Sequence, residues 1–283
     1  MLWFVLSLLA SLSKATEGFF SKRGLQKINE YAMAFGLSFF SAIFLSIPLI
    51  YYGIPAIDST FWIAVSITSV LNAIASVLVM KAIKMAPLSL VLPMQNFTPL
   101  FLLLTSPIIL GEFPGLFGVL GIFLIVIGSY VLNIQVYKKG LLKPFQELFK
   151  TKGVLLMLAV ALIQSVSANV DKMAIQHSSP FFFGVTANVF IALLVLPFAI
   201  KKLVGGEFSL KRMLPVGLFE ALTLIFQYHA LLLTLVPYVI AVKRTSTIFS
   251  SLYGFYFFKE KHIRERLLGV VIMIAGVILI LFL

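Results

Sequence analysis

The chain has 283 residues, of which 61% are hydrophobic and only 11% are charged, against about 25% charged in an ordinary soluble domain. These proportions exclude an ordinary water-soluble enzyme and predict an all-α integral membrane protein, because one bilayer-spanning helix needs about 20 mostly apolar residues. The net charge of +12 is explained by topology and anionic lipid headgroups, so we expect contact with membrane lipids and no nucleic-acid partner.

Ten apolar segments bounded by Gly, Pro or charged residues follow one another along the chain. The first five predicted spans are 2–21, 31–53, 61–81, 87–110 and 114–134. After a basic cytoplasmic linker, 135–152, the second five are 153–175, 180–200, 213–234, 236–258 and 267–283. The sequence therefore predicts ten transmembrane helices in two five-helix domains, 1–134 and 153–283.

The first apolar segment is predicted to be a true span and not a cleaved signal peptide. It has no basic residue ahead of the apolar run and no A-x-A-like cleavage site. It also has a later counterpart, since Ser11, Ser13 and Glu17 match Ser165, Ser167 and Asp171 at an offset of 154 residues.

Basic residues are distributed unevenly over the connections between the predicted spans. Of the 22 Lys and Arg residues, 18 fall in the odd-numbered connections, whereas the termini and the even-numbered connections hold only Lys172. Since basic loops stay in the cytoplasm, we expect a multi-pass protein of the cell membrane with both termini outside.

The two sets of five spans end in the same pattern. Glu112 is followed by Gly121 and Gly128, and Glu260 is followed at the same spacings by Gly269 and Gly276. Glycines seven residues apart predict a seam for close helix contact. Because five crossings reverse the direction of the next copy, the halves are predicted to be inverted repeats, an arrangement typical of transporters with a central site.

Two stretches of the sequence resemble EamA-type transporters of the drug/metabolite transporter (DMT) superfamily. They are AIKMAPLSLVLPMQNFTPLFLLLTSPIILGE in the first half and VPYVIAVKRTSTIFSSLYGFYFFKEKHIRERLLGVVIMIAGVILI in the second. The resemblance extends over essentially the whole chain and implies a secondary transporter. It does not imply one substrate, because the superfamily moves amino acids, drugs, sugars, nucleotide sugars and phosphorylated metabolites. Family members are often described with both termini in the cytoplasm, which differs from the orientation that the charges predict.

Ionisable side chains within spans are expected to face a buried partner or a pathway, because each costs about 3 kcal/mol to insert. Lys14 is predicted to face the interior, since it shares a polar or small-residue stripe with Ser7, Ser11, Gly18 and Ser21. Two further stripes are predicted to line a cavity: Gln164, Ser167 and Asp171 in span six, and Glu220, Thr223 and Gln227 in span eight.

Three acidic residues, Glu17, Asp171 and Glu220, are candidates for coupling transport to protons. Glu220 is the strongest candidate, since protonation would change its attraction for a neighbouring cation. Glu17 and Asp171 lie toward the ends of their spans, so pairing with Lys14 or Lys172 near the headgroups is an equal alternative.

Adjacent cations, Lys243 and Arg244, are predicted to lie deep in span nine, with Ser250 on the same broad arc as Lys243. We expect Glu220 to be their nearest protein partner, and a surplus of positive charge to remain in the cavity. The hypothesis is that a substrate carboxylate or phosphate binds this pair. In the triose-phosphate translocators of the same superfamily, a similar Lys-Arg pair binds phosphate. The alternative that Lys243 and Arg244 form a structural ion pair with Glu220 is almost as well supported.

Span four contains Pro87, Pro93, Pro99 and Pro107 around Gln95 and Asn96. Interior prolines free the carbonyl four residues earlier, here those of Ser89 and Gln95, and broken helices in inverted repeats often mark the binding site. Kinking for helix packing explains the prolines equally well. In span three, Ser69, Asn72 and Ser76 form a polar stripe for which cavity lining and interhelical hydrogen bonding are both open.

The leading interpretation is a secondary transporter, an exporter by narrower expectation, that moves a small organic solute by alternating access with a proton or an exchanged solute. The sequence predicts no cofactor, no metal site and no catalytic residue, since the three histidines are far apart and no phosphate-binding G-x-x-x-x-G-K-[ST] loop or G-x-S-x-G elbow is present. An intramembrane enzyme is the least supported alternative. A non-transporting module that binds lipid or a partner protein has no need of Lys, Arg and Glu inside its helices.

Overall fold

The structure is a computed structural model that describes residues 1–85, 94–134, 151–258 and 263–281. All regular elements in these ranges are helical. The helices are α1 (Leu2–Gly24), α2 (Glu30–Tyr52), α3 (Ser59–Met85), α4 (Thr98–Leu110), α5 (Leu116–Ile134), α6 (Lys152–Gln176), α7 (Pro180–Lys202), α8 (Leu210–Leu231), α9 (Val236–Lys243), α10 (Ser246–Phe258) and α11 (Ile263–Leu281). A short π-helix, Leu203–Glu207, extends α7.

The helices begin and end within a few residues of most predicted spans. Five of them, α2, α3, α6, α7 and α8, are long and apolar enough to cross a bilayer, and Thr98–Leu110, Leu116–Val131 and Leu268–Leu281 are shorter apolar helices. The number of ten spans stays a prediction. The linker 135–150, Pro87, Ser89, Pro93 and Glu260 lie outside the described residues.

Helices of the first half (residues 1–134) pack mainly against helices of the second half (residues 151–283). The pairs are α1 with α8, α3 with α6, α2 with α7, and α5 with α11. Exchanging the halves converts the α1–α8 pair into the α6–α3 pair and leaves α2–α7 and α5–α11 unchanged. Two equivalent repeats related by a pseudo-twofold axis would give this pattern of contacts.

The predicted glycine seam lies between α5 and α11. A Cβ built on Gly121 would lie 2.6 Å from the carbonyl oxygen of Gly276, and a Cβ on Gly276 would lie 2.6 Å from that of Gly121. Gly128 likewise faces backbone atoms of Met273 and Gly269. Only glycine permits this backbone approach, so the prediction of close contact along the seam is confirmed.

The predicted span 236–258 is wrong as a continuous helix, because a turn at 244–245 divides it into α9 and α10. The hydroxyls of Thr245 and Thr247 donate to the carbonyl oxygens of Val242 and Arg244, at 2.7 and 3.0 Å. Such bonds from a side chain to the preceding turn bend helices, which explains a kink without proline.

A matching turn at 96–97 precedes α4. There the Thr98 hydroxyl donates to the carbonyl of Gln95 at 2.7 Å, which is one of the carbonyls that the prolines were predicted to free. At an offset of 148 residues, Gln95 and Asn96 occupy the places of Lys243 and Arg244. The two kinks are therefore equivalent in position, but one carries amides and the other carries cations.

The buried apolar residues differ between the two ends of the bundle. The terminal end is the end where α1 begins and α11 finishes, and the linker end is the opposite one. Near the terminal end, one cluster built from α3, α4, α6, α7, α8 and α9 crosses between the halves. Toward the linker end, two separate clusters, which also join the halves, lie on α2, α3, α7 and α8 and on α3 and α6. Between these clusters is the space that holds the candidate site.

Candidate functional site

A cavity of about 190 Å³ lies between the two halves, with walls from α1, α2, α3, α6, α7, α8, α9, α10 and the turn before α4. All the residues predicted to bind substrate or to couple transport line it: Lys14, Glu17, Asn72, Gln95, Asn96, Gln164, Asp171, Glu220, Gln227, Lys243, Arg244 and Ser250. The lining also includes Thr98, Ser38 and Tyr228, which the sequence interpretation missed. The structure thus brings the predicted polar groups together around one space.

Lys14 holds two of the cavity's carboxylates. Its Nζ lies 2.9 Å from Glu220 Oε2 and 3.0 Å from Glu17 Oε2, and the Ser21 hydroxyl donates to the other oxygen of Glu17 at 2.5 Å. The predicted pairing of Glu220 with the cations of span nine is therefore wrong. The reason is that α1 packs directly on α8 and brings Lys14 to Glu220 first.

Arg244 is buried at the kink between α9 and α10, with only 4% of its surface exposed. Its Nη2 donates to Thr98 Oγ1 at 2.7 Å and to Gln164 Oε1 at 3.0 Å. Its Nε–H is buried without a hydrogen-bond partner among the described residues. A buried donor left unpaired costs about 1–3 kcal/mol, so a conformation that lets a bound acceptor reach this atom would gain free energy.

Lys243 points to an amide and not to a carboxylate: its Nζ donates to Gln227 Oε1 at 2.5 Å. The described part of the lining contains three cations, Lys14, Lys243 and Arg244, and three carboxylates, Glu17, Asp171 and Glu220. The predicted surplus of positive charge is thus wrong by formal count. The charges are instead separated, because Lys14 takes two carboxylates and the Lys243–Arg244 pair has neutral hydrogen-bond partners.

Asp171 is the carboxylate of the cavity that is held by hydroxyl groups. Thr68 donates a hydrogen bond to its Oδ1, Ser167 lies at 3.5 Å from the same atom, and Asn72 Nδ2 donates to both hydroxyls at 2.9 and 2.7 Å. The predicted polar stripe on α3 is therefore centred on Thr68 and Asn72, whereas the Ser69 hydroxyl is buried without a partner among the described residues.

Glu17 and Asp171 are both buried within the protein. Glu17 is 4% exposed and Asp171 is 6% exposed. Lys172, the predicted partner of Asp171 in that alternative, pairs with Glu112 instead. The predicted pairing of Glu17 with Lys14 is confirmed, whereas that of Asp171 with Lys172 is wrong, and the coupling role of both carboxylates stays a prediction.

The two kinks are joined across the cavity by side-chain hydrogen bonds. Besides the bond from Arg244 to Thr98, Asn96 Nδ2 donates to Thr247 Oγ1 at 3.0 Å. Gln164 serves both sides, since its Oε1 also lies 3.3 Å from Gln95 Nε2. The arrangement can therefore hold a guanidinium in a fixed orientation between the halves, beside space for a small polar molecule.

Comparisons with known proteins agree with this arrangement. The family model of the EamA-like transporter family matches residues 1–134 and 151–282. A protein of Archaeoglobus fulgidus described as an uncharacterized transporter is 22% identical over 285 residues, which cover 99% of this chain and 98% of that protein. A protein solved as a crystal structure has the same fold at 14% identity, with a TM-score of 0.72 over 98% of this chain and 95% of that chain. The chain is thus an all-α membrane protein and belongs to the EamA-like transporter family, within the DMT superfamily.

Proposed function

We propose that the protein is a secondary active transporter, operating as an exporter, that moves a small organic metabolite across the cell membrane. The metabolite carries a carboxylate or phosphate and is amino-acid-like or anionic. Transport proceeds by alternating access through ten spans in two inverted repeats, with both termini outside and the basic loops in the cytoplasm. Contacts between helices that recur when the halves are exchanged support this architecture, because inverted repeats enclose a site between them.

The unpaired Nε–H of Arg244 is the observation that carries the anion-binding part of the proposal. Thr98 and Gln164 hold Nη2 from the protein side, so the orientation of the guanidinium is fixed before any substrate arrives. A carboxylate or phosphate binds a guanidinium through two parallel hydrogen bonds. Lys243, the next residue, adds a compact positive charge whose hydrogen-bond partner is the neutral amide oxygen of Gln227.

The carboxylates of the cavity favour an amino-acid-like substrate over a simple anion. A simple anion would gain from an all-cationic site, whereas the described lining of this cavity carries equal numbers of formal positive and negative charges. An ammonium group on the same molecule would be attracted to Asp171, whose described partners are hydroxyls. A zwitterion would therefore supply a countercharge to both Arg244 and Asp171.

The driving force in this proposal is a proton or an exchanged solute, with Glu220, Glu17 and Asp171 as the groups that would sense it. Glu17 and Glu220 share Lys14, so a proton on either would leave the other paired. Such a shared pair can change its charge by one without exposing an unpaired lysine.

Counterflow into proteoliposomes, with a panel of amino acids, carboxylates, sugar phosphates and cationic drugs, tests the proposal. For the transported compound, Arg244→Gln should raise KM by about 10-fold to 150-fold, the equivalent of the 1.5–3 kcal/mol of a hydrogen bond to a charged group. The matched control is Lys84→Gln, which removes an exposed cation outside the cavity. An Arg244→Gln protein that folds and transports the same compound at normal KM would refute anion binding.

Tag accessibility tests the orientation separately. A tag at either terminus should react with an impermeant antibody on intact cells. Labelling of both tags only after permeabilisation would place the termini in the cytoplasm and overturn the charge-based topology.

A further inference from the structure

A buried ion pair lies at the terminal end of the bundle, outside the cavity lining. Lys172 Nζ lies 2.5 Å from Glu112 Oε1, and the two side chains are 10% and 11% exposed. Lys172 also donates to the carbonyl of Thr234 at 2.8 Å, and the other oxygen of Glu112 accepts the backbone N–H of Val236 at 2.7 Å. Both charged groups therefore have hydrogen bonds beyond the pair itself.

The pair connects the two halves at three places in the chain. Glu112 lies between α4 and α5 of the first half, whereas Lys172 lies in α6, and Thr234 and Val236 lie at the junction of α8 with α9. One of the apolar clusters that join the halves lies at the same end and includes the fully buried Phe61 of α3. This end is thus closed both by apolar contact and by charge.

The linker end is built differently. An ion pair in the described part of that end, Lys84 with Glu30, joins two helices of the first half, and the lysine is 52% exposed. At the offset of 154 residues, the counterpart of Lys172 is Gly18, which lines the cavity and has no atom within 4 Å of the place where a Cβ would stand. The cavity lining also reaches Ile83, close to the end of α3.

We propose that the Lys172–Glu112 pair is a lock between the halves that keeps the terminal end closed and must separate each time the cavity opens there. This inference rests on the alternating-access part of the proposed function. Since the repeat position of Lys172 holds Gly18 in the other half, no lysine at that position can form the same pair at the linker end. The resting transporter therefore favours the conformation that is closed at the terminal end.

Breaking one side of the lock should shift this balance. A buried pair that loses one partner leaves the other charge unpaired in a closed end, and opening that end to water relieves the unpaired charge. Glu112→Gln keeps a carbonyl oxygen as acceptor for the Val236 N–H, so it removes the charge while preserving the backbone contact. Lys172→Arg keeps the charge and should preserve the lock.

Thiol accessibility tests the lock directly, because the chain contains no cysteine. A single probe, Ala187→Cys, lies in the cavity wall on α7, and a charged, membrane-impermeant thiol reagent is applied to sealed vesicles from the face that carries the chain termini. Glu112→Gln and Lys172→Met should each speed labelling of the probe at least fivefold. Lys172→Arg and the matched control Lys84→Met should leave the rate unchanged.

The outcomes separate the lock from the proposed function. Unchanged labelling in a folded Glu112→Gln protein, or labelling at the full rate with the lock intact, would overturn the proposal. A chain that transports no tested solute but shows faster labelling in Glu112→Gln would retain the lock and refute only the transport activity. If Lys172→Met does not fold, Glu112→Gln decides the result alone.

Discussion

The seam between α5 and α11 leads to a prediction whose size follows from distances. A methyl group introduced by Gly276→Ala would lie 2.6 Å from the carbonyl oxygen of Gly121 and 2.9 Å from the backbone nitrogen of Ile125. Backbone atoms, unlike side chains, cannot rotate away from the new methyl group. The helices must therefore separate by about 0.8 Å, so that the distance from the methyl carbon to the carbonyl oxygen reaches an ordinary contact of 3.4 Å. Overpacking of this kind costs about 1–3 kcal/mol.

Thermal unfolding of the purified protein in detergent measures this cost. At about 2–4 °C per kcal/mol for a chain of this size class, Gly276→Ala should lower Tm by about 2–12 °C, and Gly121→Ala should have a similar effect. The matched control is Gly205→Ala, since no atom lies within 4 Å of that position. If Gly276→Ala and the control Gly205→Ala both have the Tm of the wild type, the close contact of α5 with α11 is refuted.

Two further predictions concern charged groups. Lys14→Met leaves Glu17 and Glu220 buried without their cation and should cost about 3–5 kcal/mol of stability. Adding Glu220→Gln to this variant should recover part of the lost Tm. A double variant that is no more stable than Lys14→Met alone would contradict the pairing. Asp58 accepts the N–H of Phe61 ahead of α3, which lowers the pKa of its carboxyl. Its stabilising effect should be complete above its ordinary pKa of about 3.9 and be lost as pH falls through the lowered value, so the Tm difference between wild type and Asp58→Asn should disappear in acid.

Helical periodicity predicts several of the residues that face the cavity. Lys14, Gln164, Asp171 and Glu220 were placed by their stripes alone, and all four line it. The reason is physical: in lipid a polar side chain must turn toward protein or water, so the polar face of a span identifies its inner side. The glycine spacing predicts the α5–α11 contact from the local sequence in the same way, because glycines on one face let the backbones of two helices approach closely.

Partners across the cavity could not be predicted in the same way. A stripe gives the face of a helix but not which neighbour is opposite, and the order of helices around the cavity decided that Glu220 meets Lys14. The sequence does not predict the kink at Arg244, because threonine bends a helix only when its hydroxyl donates to a carbonyl of the preceding turn. Proline needs no such hydrogen bond. The predicted stripe on α3 contains Ser69 and not its neighbour Thr68, although the spacing of four residues between Thr68 and Asn72 indicates that both lie on the same helix face.

The distribution of charge in the cavity has a consequence for the response to membrane voltage. The first half contributes Lys14 and Glu17, and the second contributes Asp171, Glu220, Lys243 and Arg244. Over its described residues, the cavity wall of each half is therefore formally neutral. Rocking one half against the other then moves no net wall charge across the membrane potential, which is worth about 2.3 kcal/mol per unit charge at 100 mV. Currents recorded from the working protein should then equal the charge of the cargo together with that of any coupled proton or exchanged solute.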